Sequence, residues 1–139
     1  MTIAKICKKP MVTISADASI VNAAIAMKQN NIGNVVVVKN QQPIGILTDR
    51  DIVVKIAAAD INLTDIKVSD VMSEQLFTLP AEADIAEAIN AMRDKGVRRA
   101  PIVDQQNKVV GIATVDDLVI LLANELKGLT DIIERQITI

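Results

Sequence analysis

The sequence predicts an α/β domain in which one strand–helix unit is used twice, its halves related by a pseudo-twofold axis with a cleft between them. Three observations predict this. The stretch from Thr13 to Val53 is echoed by Thr78 to Val119. Both copies carry the string Gly-Ile-x-Thr-x-x-Asp where a buried strand should turn into a helix, as Gly45-Ile46-Leu47-Thr48-Asp49-Arg50-Asp51 and as Gly111-Ile112-Ala113-Thr114-Val115-Asp116-Asp117. The chain has 139 residues, 50% of them hydrophobic, enough to build a core for one compact domain or two intimately packed halves. Such an arrangement favours ligand sensing over catalysis.

The elements follow in order. Thr2 to Cys7 reads as a helical turn leading in, broken by Pro10, and Met11 to Ile14 as a short strand. Asp17 or Ser19 is placed to cap a helix over Ile20 to Asn30, whose apolar residues Ile20, Ala23, Ala24 and Met27 recur at helical spacing. Gly33 or a neighbouring Asn ends it in a left-handed conformation. The four valines within Asn34 to Lys39 predict a strand buried on both faces. Asn40-Gln41-Gln42-Pro43 makes the turn, Ile44 to Leu47 the next strand, and Thr48 caps a helix to about Ala59.

A polar stretch joins the copies, and Val71 to Ser73 begins a short turn matching Ile6 to Lys8. The second copy predicts strands at Phe77 to Leu79, Ala100 to Val103 and Lys108 to Ala113, with a helix over Asp84 to Lys95 that Gly96 ends. A last repeat helix runs from Thr114 to about Leu126. Gly128 punctuates it, and Leu129 to Gln136 form an added helix against the body or a partner. The expected boundaries are 6–60 for the first repeat, 61–70 for the linker, 71–122 for the second repeat and 123–139 for a C-terminal helical extension.

The repeat itself is strong. A shift of 65 superposes Thr13 on Thr78, Ala18 on Ala83, Ile20 on Ile85, Ala23 on Ala88 and Met27 on Met92. After a one-residue insertion in the turn, Gly45 meets Gly111, Thr48 meets Thr114 and Asp51 meets Asp117. Insertions are tolerated in loops, so duplication is the economical explanation.

Composition removes several function classes. Phe77 is the one aromatic residue and the net charge is -2, which argues against base stacking and a large phosphate-backbone footprint, with Lys8-Lys9 and Arg98-Arg99 as small local exceptions. There is no histidine, so neither a Ser-His-Asp nor a Cys-His nucleophile can be assembled, and zinc is poorly served. Cys7, the single cysteine, reads as a structural, half-buried residue rather than a reactive thiolate beside Lys8 and Lys9. A Walker-type glycine-rich loop is missing. The start lacks a signal-peptide core and no 18-residue apolar run occurs, so the expectation is a complete stand-alone protein in the cytoplasm of a microbe, without catalysis and without a membrane or nucleic-acid partner.

The repeated Thr and Asp admit two readings. Thr48 with Asp51, and Thr114 with Asp117, resemble capping boxes, which is a complete structural role. The same helix start also offers backbone donors to a phosphate, with an Asp beside it able to accept from a ribose diol, while Gly45 and Gly111 let backbone approach. Arg98-Arg99 at the mouth of a buried strand is either a solvated flank or a phosphate clamp. Gly33-Asn34 stands there in the first copy, so the two clefts should be chemically unequal. Met27 and Met92 read as core, and Asp49, Asp104 and Asp116 as solvent-facing.

The chain resembles a tandem pair of CBS domains, a Bateman module. The features that carry the resemblance are Asp17-Ala18-Ser19-Ile20 and Ala83-Asp84-Ile85, then Ile32 to Val38 and Val97 to Asp104, then the two Gly-Ile-x-Thr-x-x-Asp strings, in correct order and spacing over roughly residues 6 to 122. The resemblance implies β-α-β-β-α units packed sheet to sheet and regulatory binding of AMP, ADP, ATP or S-adenosylmethionine in clefts between them. One pocket would combine Thr13, Ala18, Asn34 and Val35 with Arg98, Ile112, Thr114 and Asp117. Asp117 would hold the ribose, Thr114 would lie near phosphate, strand backbone around Val35 would read adenine, and Arg98 would neutralise phosphate. The other would use Thr78, Ala83, Arg99 and Ala100 with Ile46, Thr48 and Asp51. It lacks the distal cation, so the first is preferred for a charged nucleotide. The resemblance also implies a homodimer through the repeat helices, consistent with the small residues Ala23, Ala24 and Ala26, and output to an effector protein or to self-association. A structural homodimer with vestigial pockets is the alternative.

Overall fold

The computed structural model describes residues 1–7, 11–74 and 76–137. Two three-stranded sheets of identical topology form the frame. In the first, β1 (Thr13–Ser15) runs parallel to β2 (Asn34–Lys39), which pairs antiparallel with β3 (Gln42–Thr48). In the second, β4 (Leu79–Pro80), β5 (Arg99–Val103) and β6 (Val109–Thr114) repeat the pattern. Each sheet slips by one residue at the same place, between Val37 and Val38 and between Ile102 and Val103, so even the bulge is duplicated. β1 begins and ends later than the sequence suggests, at Thr13–Ser15, and β4 begins two residues later than expected.

Helix α2 (Ile20–Asn30) has the predicted bounds. Ser19, not Asp17, caps it by accepting from the Asn22 N–H at 3.1 Å, and Asn31, not Gly33, takes the left-handed conformation that ends it. Helix α5 (Ile85–Lys95) is capped by Asp84 and closed by Gly96 at φ 67. The first hairpin is tighter than predicted. Gln42 and Pro43 belong to β3, and Asn40 and Gln41, both at positive φ, make the two-residue turn that matches the twist of the strands. The extra residue of the second copy falls in its looser hairpin, where the Asp104 carboxylate accepts from the Gln106 and Lys108 N–H groups, both at 2.9 Å.

The helices after β3 and β6 differ from expectation. Helix α3 makes only one α-helical turn (Asp49–Asp51) before widening into a π-type stretch, Ile52–Ala57, in which the Ala58 N–H reaches back five residues to Val53 at 2.9 Å. Helix α6 (Val115–Ile137) is continuous for 23 residues. Gly128 does not break it. A helix-interior glycine costs only about 1 kcal/mol relative to alanine, and the flanking residues are sound helix formers.

The stretch between repeats is partly helical, with a 3₁₀ turn at Leu63–Asp65 and helix α4 (Val68–Val71). Helix α4 is the counterpart of α1 (Ile3–Ile6), but the two have exchanged places. Ile3 and Cys7 lie in the core of the second repeat with Leu79, Ala88, Met92, Ile102 and Leu118. Val68 and Val71 lie in the core of the first with Ile20, Met27, Val35, Leu47 and Ile56. The Ile3 N–H donates to Ala83 and the Ala4 N–H to Ala81, while the Val68 N–H donates to Ala18 and the Ser69 N–H to Ala16. Each half thus completes the core of the other. Cys7 is buried, as a structural cysteine should be. The expected turn at Ile6 to Lys8, the break at Pro10 and the cations Lys8 and Lys9 fall partly or wholly outside the described residues.

Candidate functional site

A cleft of about 310 Å³ opens between the repeats. From the first repeat it is lined by Met11, Val12, Ile32 and Asn34, and from the second by Ile112, Thr114, Asp116 and Asp117. The elements explain the gathering. Asn34 is the first residue of β2, paired with Thr48, and Ile32 precedes it in the turn that leaves α2. Ile112 and Thr114 stand on β6, and the chain then turns into α6, so the first turn of a long helix faces the cleft. Thr114 Oγ1 accepts from the Asp117 N–H at 3.1 Å, which caps the helix and holds the Thr114 hydroxyl at its positive end beside Asp117.

Of the first residue set predicted from the sequence, the structure brings Asn34, Ile112, Thr114 and Asp117 to this cleft. The remaining four do not line it. Thr13 is exposed on β1, and the Ala18 carbonyl is occupied by Val68. The Val35 side chain is packed in the first core, and its backbone pairs with Leu47 on the middle strand of the sheet. The Arg98 guanidinium pairs with Asp116 at 3.1 Å, both side chains being largely exposed. The preference for this cleft as the anion site rested on Arg98, and that cation is shared with an acid of the same repeat.

Met11, Val12, Ile32 and Asp116 are lining residues that sequence reasoning missed. Ile32 and Asp116 sit two residues and one residue from predicted ones. Asp116 is exposed, as the sequence predicts, and it also lines the cleft.

The second set is distributed over the pseudo-symmetric positions. Ala83 and Ala100 belong to the core of the second repeat, and Thr78 precedes β4. Arg99 is exposed at the start of β5 and pairs in register with Thr114. Ile46 pairs through its backbone with Ser73, at 3.0 and 2.9 Å. Thr48 and Asp51 form a complete capping box, and the Asp51 carboxylate also meets Lys55 Nζ at 3.2 Å. Leu121 is the residue of α6 that corresponds to Lys55, so the two repeated acids have different surroundings.

The repeated glycines turn out to serve the exchange of leading helices. A Cβ on Gly45 would come within 2.7 Å of the Met72 sulfur and the Ser73 carbonyl oxygen, and one on Gly111 within 2.7 Å of the Cys7 carbonyl oxygen. The close backbone approach that these glycines permit is that of the other repeat's leading segment.

The sequence profile of the CBS domain matches the chain twice, over residues 3–58 and 68–124. The chain belongs to the CBS-domain family. Among relatives of this CBS-domain pair, MK0525 of Methanopyrus kandleri is 34% identical over 119 residues, covering 85% of this chain and 61% of that protein. The CBS domain-containing protein YhcV of Bacillus subtilis is 38% identical over 128 residues, covering 90% of each. Among solved structures, MJ1225 of Methanocaldococcus jannaschii, a proposed archaeal homologue of g-AMPK, superposes with a TM-score of 0.79 at 29% identity, over 90% of this chain and 51% of that one. The CBS-domain pair of protein MJ0100, solved in complex with 5-methylthioadenosine and S-adenosyl-L-methionine, superposes with a TM-score of 0.75 at 25% identity, over 90% of this chain and 98% of that one. Among the described residues no group of His, Cys, Asp or Glu is placed to hold a metal ion, and no helix is long and apolar enough to cross a membrane.

Proposed function

We propose that this CBS pair is a cytoplasmic regulatory module that binds an adenosine-containing ligand between its repeats and passes occupancy to a partner or to its own association, without chemistry of its own. The observation that carries the reading is the cleft itself. It joins residues of both repeats, has room for a nucleoside, and receives a capped helix start with a carboxylate, Asp117, beside it. In this reading Asp117 accepts hydrogen bonds from the ribose hydroxyls. Thr114 and the first amides of α6 face the group on the 5′ side, and Ile32, Val12 and Ile112 sandwich the base. The MJ0100 complex supports the ligand class.

Charge ranks the ligands within the class. Two carboxylates, Asp116 and Asp117, line the cleft, and Arg98 lies across Asp116. A triphosphate would have to draw Arg98 away from its partner and would meet two acids. S-adenosylmethionine, with its cationic sulfonium, and AMP are therefore placed above ADP and ATP.

Calorimetric titration of ligand-free protein with AMP, ADP, ATP and S-adenosylmethionine tests the reading, using wild type and Asp117→Ala. Micromolar binding of one ligand, weakened at least tenfold by Asp117→Ala, supports it. Absence of binding by all four assigns the fold a structural role, with pockets that no longer serve.

A further inference from the structure

The two repeats differ in what stands beside their repeated acids. Four residues after Asp51, on the same helix face, comes Lys55; four residues after Asp117 comes Leu121. Lys55 Nζ lies 3.2 Å from Asp51 Oδ1 and donates to the Val71 carbonyl at 3.0 Å. Asp51 Oδ2 accepts from the Thr48 N–H at 3.0 Å, so both oxygens of this carboxylate are engaged within the chain. Val71 closes α4, the leading helix of the second repeat, so the ammonium straps the helix after β3 to the opposite repeat. Ile6 and Leu121 are the corresponding residues of the other copy, and a leucine has no ammonium to extend to either partner.

A second departure from the repeat coincides with the first. Lys55 lies within the π-type stretch Ile52–Ala57, whereas the matching turn of α6 is regular α-helix. Single wide turns of this kind recur at functional sites. The Asp51 side chain is only 18% exposed, so its pairing with Lys55 is less screened by water than a pair between two exposed side chains such as Arg98–Asp116. A ribose diol offered to Asp51 has to compete with the ammonium at Oδ1, and a cationic ligand also meets the positive charge of Lys55.

We infer that Lys55 sets the number of ligands this chain takes. Its ammonium occupies Asp51 in the place of a ribose, so the cleft at Asp117 binds one ligand while the pseudo-symmetric position at Asp51 binds none at the same concentration. The inference rests on the adenosine reading of the Asp117 cleft. Duplication supplies the acid twice, and one side chain takes one of the two copies out of use. A hydrogen bond to a charged group carries about a tenfold change in affinity or more, so removing Lys55 should strengthen binding at Asp51 by at least about that factor.

Calorimetry of the ligand-free full chain with S-adenosylmethionine and with AMP, run separately, tests this through stoichiometry. Wild type should bind one ligand per chain, Lys55→Leu two, and Asp117→Ala none in the micromolar range. Asp117→Ala/Lys55→Leu should regain one, at Asp51. The reciprocal Leu121→Lys gives Asp117 the same neighbour and should weaken the wild-type site about tenfold, with circular dichroism to check that each variant is folded. Two sites of similar affinity in wild type, or a Lys55→Leu protein that still binds one ligand, would overturn the role of Lys55 and leave the Asp117 cleft standing. No binding by wild type or any variant would overturn the adenosine reading and this inference with it.

Discussion

The amide of Ile3 donates to the carbonyl of Ala83, in the opposite repeat, at 2.6 Å. Sixty-five residues later Val68 does the same to Ala18, at 2.9 Å. The four-residue helices that open each repeat are therefore exchanged, and the two cores are interdependent although neither shares a buried residue with the other. Ile3 and Val68 are fully buried.

This exchange predicts where damage appears. Ile3→Ala removes a fully buried side chain and should cost about 2–5 kcal/mol. Hydrogen exchange should show the loss of protection centred on α5, β5 and β6, far from the mutated residue in sequence. Val68→Ala should loosen α2 and β2 instead. Protection lost around residues 13–48 in Ile3→Ala would contradict the exchange.

The glycines at Gly45 and Gly111 give a second prediction. An added methyl at either position meets backbone of the exchanged segment at 2.7 Å. Backbone yields less readily than a side-chain tip, so Gly45→Ala and Gly111→Ala should each lower stability by about 1–3 kcal/mol in chemical denaturation. Gly128→Ala, where an added Cβ has open space, serves as the control and should not destabilise.

The pair Arg98–Asp116 supplies a third. Both side chains are largely exposed, so breaking the pair should change stability by less than about 0.5 kcal/mol. Its effect on ligand choice should be larger. Asp116→Asn removes one carboxylate from the cleft and releases Arg98, so the affinity for ATP relative to S-adenosylmethionine should rise. An unchanged ratio in competition titrations would separate Arg98 from ligand selection.

Much of this was legible in the residues. The span of α2, the end of α5 at Gly96 and the buried β2 of consecutive valines are written in adjacent residues, whereas the choice of Ser19 over Asp17, of Asn31 over Gly33, and of Asp84 as a cap came from the structure. The duplication announced two sheets, and the resemblance to a CBS-domain pair put Asn34, Ile112, Thr114 and Asp117 in one cleft, whose lining they join. Other features left no local trace. A four-residue helix has little periodicity to read: Thr2 to Cys7 still reads as the helical turn that α1 is, but α4 lies in what reads as linker and the start of a turn. Gly128 looked like a stop, yet the residues around it carry α6 through.

The sequence by itself determined the repeat, the order of strands and helices within it, and the family, since these depend on contacts between near neighbours and on patterns copied whole. Tertiary structure alone decided which core each leading helix enters, that Arg98 faces Asp116, and that the apolar seam of α6 projects from the body. Those outcomes turn on residues brought together across the fold, where the competing partners differ by a few kcal/mol and geometry makes the choice.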